Sequence, residues 1–583
     1  MFGLRFTASR TQIASYLFGV ALFSISFLVF LNSSISFVIT QRIGQSRNVG
    51  DAVGTLGFVD ELVALVACPA WGLLSDRVGV RSVAVMGYTI VGVALWILVQ
   101  AKNVYPELLL ARILFSLGGS ATATMVTAVL PALTFVKPAE RDLRWPTRRT
   151  NGTSHAGAAS ISSELTITPA RFRSRSQESA VAGPVQTDAG ASTSQLAGLV
   201  GMFTGCGALV ALLVFLPLPT RFQEAGDTPA TAVASAFYVV GAAAILVALG
   251  CFFGLRSLPG EEGKGWKRFA GKDQNKTGGS RPSRDLVLIY PRLFWQSVRL
   301  AFTSSNIGLG YIGGFVARAS SVAISLFIPL FTNHYFLETG RCKVDPSDPS
   351  DIKSACPEAY KLAAMLTGIS QLIALISAPC FGFLSGRFPK YNIPLLVASI
   401  AGIAGYSWFA SLKSPDYHSE DGTGAIFFIV ALLGISQIGA IVCSLALLGR
   451  GINNDEVKHS DMMHTTASTN GASHPSAGAT PPSSAPITPV DENAPLLPQI
   501  QVRHASDPGT QSHNHMKGSI AGTYSLLGGF GILLLTKAGG ALFDSTGPGS
   551  PFYMMAAFNL LLLIVGVGVS GWQSFGRPAR TEG

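Results

Sequence analysis

Gly72-Leu73-Leu74-Ser75-Asp76-Arg77-Val78-Gly79-Val80-Arg81 lies between two apolar runs, Ala52 to Leu73 and Ser82 to Gln100. Each run is long enough to cross a hydrocarbon layer about 30 Å thick. Backbone outside a helix cannot sit in lipid, so the stretch between them is a tight turn at a membrane face. Its two glycines let the chain reverse. Asp76, Arg77 and Arg81 place fixed charges at two helix ends, and such charges need a partner surface.

The rest of the chain agrees with a membrane location. Its 583 residues are 48% hydrophobic and 13% charged, with a mean hydropathy of +0.40, whereas soluble domains carry about 25% charged residues. The formal net charge of +10 raises the question of nucleic acid, but the basic residues gather in loops on one face, as membrane topology requires, so no nucleic-acid partner is expected. Five of the seven cysteines (Cys68, Cys206, Cys251, Cys380 and Cys443) lie in apolar runs, and no pair has a metal-binding spacing. The first apolar run, Ile13 to Ile39, exceeds a signal-peptide core and reads as a retained span.

Apolar runs of about 20 residues give twelve spans, at roughly 13–39, 52–74, 82–100, 107–135, 195–217, 230–253, 307–332, 362–384, 392–411, 424–448, 518–541 and 551–572. An even number puts both termini on one side. Only nine of the 42 Lys and Arg residues (Arg42, Arg47, Lys102, Arg221, Arg341, Lys343, Lys353, Lys361 and Lys413) fall in the opposite loops, so the termini are expected to be cytoplasmic. The implied organisation is helices 1–4 in residues 1–136, a disordered cytoplasmic loop over 137–194, and helices 5–6 in 195–255. A basic linker over 256–300 then leads to helices 7–10 in 301–449, a second disordered loop over 450–517, and helices 11–12 with a short tail in 518–583. The linker divides the spans six and six, as parallel repeats do. Gly382-Phe383-Leu384-Ser385-Gly386-Arg387-Phe388-Pro389-Lys390, after the eighth span, echoes the opening stretch, with Gly386 where Asp76 would be.

The pattern Gly-x-Leu-x-Asp-Arg-x-Gly-x-Arg between the second and third spans resembles the signature loop of the major facilitator superfamily. The resemblance implies an all-α integral membrane protein with twelve transmembrane helices in two six-helix halves. It also implies a substrate cavity between the halves, alternating access and a monomer in the lipid bilayer. In that superfamily the loop's acidic and basic residues stabilise the state closed to the cytoplasm, and Gly72, Asp76, Arg77, Gly79 and Arg81 fall on its positions. The first, fourth, seventh and tenth helices line the cavity there. Arg112-Ile113-Leu114-Phe115-Ser116-Leu117-Gly118-Gly119 is similar to its fourth-helix pattern, whose arginine is associated with proton transfer in proton-coupled relatives. The fifth span, Gly198 to Gly207, is glycine-rich but lacks the Gly-Pro of the antiporter branches, which weakens proton antiport.

No hydrolytic triad, phosphate loop or His/Cys metal spacing appears, so neither an enzyme, a cofactor, a metal nor direct use of ATP is expected. Transport driven by a gradient remains. Ionisable residues within spans are its usual marks: Asp60, Glu61, Arg112, Arg318 and Lys537. Arg318 lies near the midplane and is directed either at substrate or at a buried carboxylate. At about 1.5 Å per residue, Asp60 is roughly 12 Å and Arg112 roughly 8 Å from the far surface, so they are within pairing range. That pair is either a permanent salt bridge or a proton site at which Arg112 and a proton compete for Asp60. Glu61 points about 100° away, so at most one of the two acids shares a partner with Arg112. Lys537 is close enough to its span end to snorkel. Asn32, Ser33, Ser34, Gln371 and Gln437 either touch substrate or form interhelical hydrogen bonds.

Some signals lie in the loops. Glu492-Asn493-Ala494-Pro495-Leu496-Leu497 matches an acidic dileucine signal, which would engage sorting adaptors and direct the chain to a vacuole. Six histidines in the same loop are irregularly spaced, as in a solvated linker. Cys342 and Cys356 share a far-side loop and form a possible disulfide. The sequons at Asn151 and Asn275 would be cytoplasmic and bare. The reading is a secondary active transporter that moves a small organic solute, a secondary metabolite or drug-like compound, out of the cytosol. It would act at the plasma or vacuolar membrane with proton coupling. The alternatives are uptake or vacuolar transport of an amino acid-like nutrient, and a transporter-like nutrient sensor that signals through its loops.

Overall fold

The structure, a computed structural model, describes residues 8–45, 49–134, 182–259, 261, 264–265, 285–340, 357–388, 392–419, 422–469 and 516–575. Among these residues there is helix and turn but no strand. Twelve helices are long and apolar enough to cross a membrane: α1 Arg10–Ile43, α2 Ala52–Val78, α3 Val80–Leu98, α4 Val104–Leu133, α5 Ala191–Glu224, α6 Pro229–Gly254, α7 Ser305–Glu338, α8 Lys361–Arg387, α9 Ile393–Ala410, α10 Ala425–Ile452, α11 Lys517–Thr546 and α12 Ser550–Gly571. All twelve spans read from apolar runs are present. Each half is held by its own aromatic core. Phe27 and Phe30 of α1 meet Phe215 of α5 and Phe237 of α6. Phe331 of α7 meets Phe409 of α9 and Phe552 of α12.

Helix also continues into the connections expected to be without structure. The α5 helix begins at Ala182, α10 runs on to Thr469, and a separate linker helix, Asp285–Thr303, precedes α7. Extending a helix that has already nucleated adds one hydrogen bond for each residue fixed, so the propagation is favourable without a new nucleus. The linker helix is anchored by Ser297, whose hydroxyl bonds the Thr523 hydroxyl of α11 at 2.7 Å and whose carbonyl accepts from Tyr311 of α7.

The turn that decided the reading is a single residue. α2 ends at Val78, α3 begins at Val80, and Gly79 between them has φ +95°, where a β-carbon is disfavoured. Gly72 has a different job from the reversal expected of it, because it lies inside α2. It lets that helix approach α11: a β-carbon on the facing Gly522 would stand 2.8 Å from the Cys68 carbonyl and 3.0 Å from the Pro69 Cα. The second echo does the same to another pair. A β-carbon on Gly382 of α8 would stand 2.7 Å from the Cα of Gly198 on α5. The halves therefore meet backbone to backbone at α2/α11 and α5/α8, near the face that carries the termini.

Candidate functional site

Asp76 sits in the α2/α11 seam, 7% exposed. Its carboxylate accepts from the backbone N–H groups of Gly518 and Ser519, both at 2.7 Å, and from the Ser519 hydroxyl at 2.5 Å. These are the unpaired donors at the start of α11, where the helix dipole is positive, so an acid from one half caps a helix of the other. Arg81 turns away from this seam; its Nε donates to the Phe252 carbonyl at 2.8 Å and its guanidinium lies 4.3 Å above the Phe252 ring, tying α3 to α6. The Arg77 carbonyl accepts from the Gly265 N–H at 3.3 Å.

That last bond belongs to a strut that the sequence reading assigned to the linker. Glu261 accepts from the Val80 N–H at 3.0 Å, capping α3, and from Lys264 at 3.0 Å. The linker's first residues thus brace the signature turn. An acid a few residues past α6, on the face where α3 begins, was the available sign.

Deeper in the chain, Arg112 of α4 is 2% exposed and paired with Asp60 of α2, its Nε donating to Oδ2 at 2.5 Å. Its Nη2 donates to the Asn32 side chain of α1 at 2.5 Å, and the Ser116 hydroxyl donates to the Asp60 carbonyl at 2.9 Å. The far oxygen of Asp60 and Nη1 of Arg112 are buried without a hydrogen-bond partner. Asn32 is exposed although it bonds the buried Arg112. Glu61 takes no part in the pair.

Arg318 is half-buried, with its stem across Gly528 of α11, where a β-carbon would meet its Cγ at 2.7 Å. One turn on, the Ser321 hydroxyl accepts from Gln437 of α10 at 2.9 Å, and the Gln437 carbonyl oxygen accepts from Gln371 of α8 at 3.2 Å. The Lys537 ammonium lies 4.2 Å from the Phe58 ring centroid, joining α11 to α2. Two further polar contacts escaped the sequence reading. Arg450, 7% exposed, donates to Ser385 at 3.2 Å within the second echo, and Ser436 donates to Asn559 at 3.1 Å between α10 and α12. The dileucine residues Glu492, Leu496 and Leu497, the pair Cys342 and Cys356, and both sequons lie outside the described residues.

The sequence pattern of the Major Facilitator Superfamily matches residues 22–141, which cover α1 to α4 and the signature turn. Solved structures extend that likeness over the whole chain. The proton:xylose symporter XylE is 12% identical with a TM-score of 0.51, covering 97% of this chain and 95% of its own. The chain has the major facilitator fold. A bacterial homologue of the iron transporter ferroportin, in an outward-facing state, is 12% identical with a TM-score of 0.52 over 97% of this chain and all (100%) of its own. The human organic anion transporter MFSD10 is 10% identical with a TM-score of 0.50 over 96% and 99% of the two chains. No curated protein matches the sequence. At these identities the likeness is one of fold alone.

Proposed function

We propose that this major facilitator protein moves a small polar organic solute by alternating access, coupled to protons through Asp60 and Arg112. The observation that carries the reading is the Asp60–Arg112–Asn32 cluster. It joins α1, α2 and α4 within the membrane, includes the exposed Asn32, and leaves one carboxylate oxygen and one guanidinium nitrogen without hydrogen-bond partners. Charge inside a bilayer is retained where it is used, and a pair with a spare acceptor offers a place for a proton to load and leave. The polar side chains of Glu61, Arg318, Gln371 and Gln437 favour an amino acid-like solute over a bulky drug-like one. Movement out of the cytosol, across the plasma or a vacuolar membrane, remains the direction proposed, with the termini cytoplasmic and Asp76 closing that side.

The test is counterflow and net flux of a metabolite panel in proteoliposomes, with and without a pH gradient. A pH gradient should drive net accumulation by the native protein, and Asp60→Asn should retain exchange while losing that drive. Equal drive in both would remove Asp60 from the coupling.

A further inference from the structure

The linker helix, Asp285–Thr303, has two unlike faces. One is clamped to the bundle: the Ser297 hydroxyl bonds the Thr523 hydroxyl of α11 at 2.7 Å, and the Ser297 carbonyl accepts from Tyr311 of α7 at 3.3 Å. Opposite Ser297, the side chains of Arg292, Trp295, Arg299 and Phe302 are all exposed. Their spacing gathers them into one arc at about 3.6 residues per turn. Trp295 is 68% exposed and Phe302 87%, the latter more than any other large apolar side chain among the described residues. Neither arginine side chain makes a hydrogen bond or an ion pair among the described residues. Within the arc the four sort by kind. Trp295 and Phe302 form one row along the helix, and Arg292 and Arg299 form a second, about 60° around the axis.

The helix's depth follows from what it touches. With 30 residues α11 is about 45 Å long, so roughly 7 Å stands outside a hydrocarbon layer about 30 Å thick at each end. Thr523 lies about 9 Å from the start of α11 at Lys517, and Tyr311 lies about 9 Å from the start of α7 at Ser305. Ser297 bonds both, which places the middle of the linker helix where headgroups meet acyl chains, on the face that carries the termini. It is no continuation of α7, because the extended backbone of Ser304 (φ −111°, ψ 107°) separates the two. Aromatic and guanidinium rows side by side at that level suit a lipid. Rings gain by entering the acyl region, guanidinium groups stay with phosphate, and a fixed anion offsets a cation that has no carboxylate beside it. We infer that this arc binds an anionic phospholipid of the adjoining leaflet, its phosphate on Arg292 and Arg299 and its acyl chains against Trp295 and Phe302. A soluble protein partner would need the arc clear of the bilayer, which its depth denies. The site is independent of the solute and of its path.

The experiment uses the full-length protein with six of its seven tryptophans replaced by phenylalanine, so that Trp295 alone remains, in vesicles of mixed phosphatidylcholine and phosphatidylglycerol. One lipid at a time carries bromine on its acyl chains, and quenching of Trp295 reads how often that lipid lies against it. Each arginine near the surface favours an anionic headgroup about fivefold, so phosphatidylglycerol should be preferred by roughly 30-fold. Arg292→Gln with Arg299→Gln should bring the preference to near parity, and high salt should lower it in the parent. Equal quenching by both lipids overturns the inference, as does a preference that survives the double substitution. Quenching by neither lipid would mean that protein covers the arc, and overturns it too. Inorganic phosphate at millimolar concentration should leave the preference unchanged, and its loss would replace the lipid by a free anion. The unaltered protein gives an independent measure: its melting temperature in detergent should rise more with phosphatidylglycerol than with phosphatidylcholine, and Arg292→Gln with Arg299→Gln should erase that difference while melting normally in detergent alone. The same rise with both lipids overturns the inference, whether or not the tryptophan-poor form folds.

Discussion

Replacing Asp76 by alanine removes three hydrogen bonds across the α2/α11 seam, at 2.7, 2.7 and 2.5 Å. The Ser519 hydroxyl can turn to water or to its own helix, so the two backbone donors set the loss. A hydrogen bond to a charged group is worth a net of about 1.5–3 kcal/mol, so at the lower end the two bonds come to about 3 kcal/mol. At about 1.4 kcal/mol for each factor of ten, the closed arrangement of this face loses roughly 100-fold of its population relative to the open one. Ser75→Cys supplies the reporter, because Ser75 is fully buried and its hydroxyl abuts Gly518 of α11 in the same seam. In a protein that carries Ser75→Cys and whose native cysteines are replaced, Asp76→Ala should speed labelling of that thiol by a soluble reagent about 100-fold, in line with that population shift. Turnover should change more than apparent affinity. A labelling rate within twofold of the parent, in a variant that melts normally, would refute the cap as the bolt of this face.

Glu261→Gln removes the charged cap of α3 and the partner of Lys264, and should lower unfolding free energy by about 1 kcal/mol, read as a fall in melting temperature; an unchanged melt would mean that the strut bears nothing. Arg318→Ala should abolish flux while leaving expression and membrane delivery intact, and native rates would exclude Arg318 from the solute path. Gly382→Val places side-chain atoms where a β-carbon already stands 2.7 Å from Gly198, so the α5/α8 seam must part and the melting temperature should fall; an unchanged melt would mean that the helices do not rely on that contact.

The twelve spans were legible because lipid allows a crossing segment little other than an uninterrupted apolar helix, so hydropathy and length decide the matter. The Asp60–Arg112 pair was legible for a related reason: an arginine buried in a span has few places to go, and depth along two helices limits the candidates. Its third member was not. Asn32 was one of several polar residues on α1, and nothing in a sequence separates a side chain that bonds Arg112 from one that meets a neighbouring helix. The Glu261 strut was hidden by composition, since a short charged segment rich in glycine looks like a tether until it is seen capping α3. Gly72 was misjudged for the opposite reason. A glycine near a turn suggests a bend, yet the nearby α11 backbone gives it another purpose.

The two seams near the termini differ in one respect. Both press glycine upon glycine, but Asp76 grips the start of α11, whereas Gly386 brings no side chain to the start of α5. One edge of the gate is thus riveted by charge. A solute that leaves on this side does so only once that carboxylate has let go of the helix it grips, so the rivet sets the pace of release.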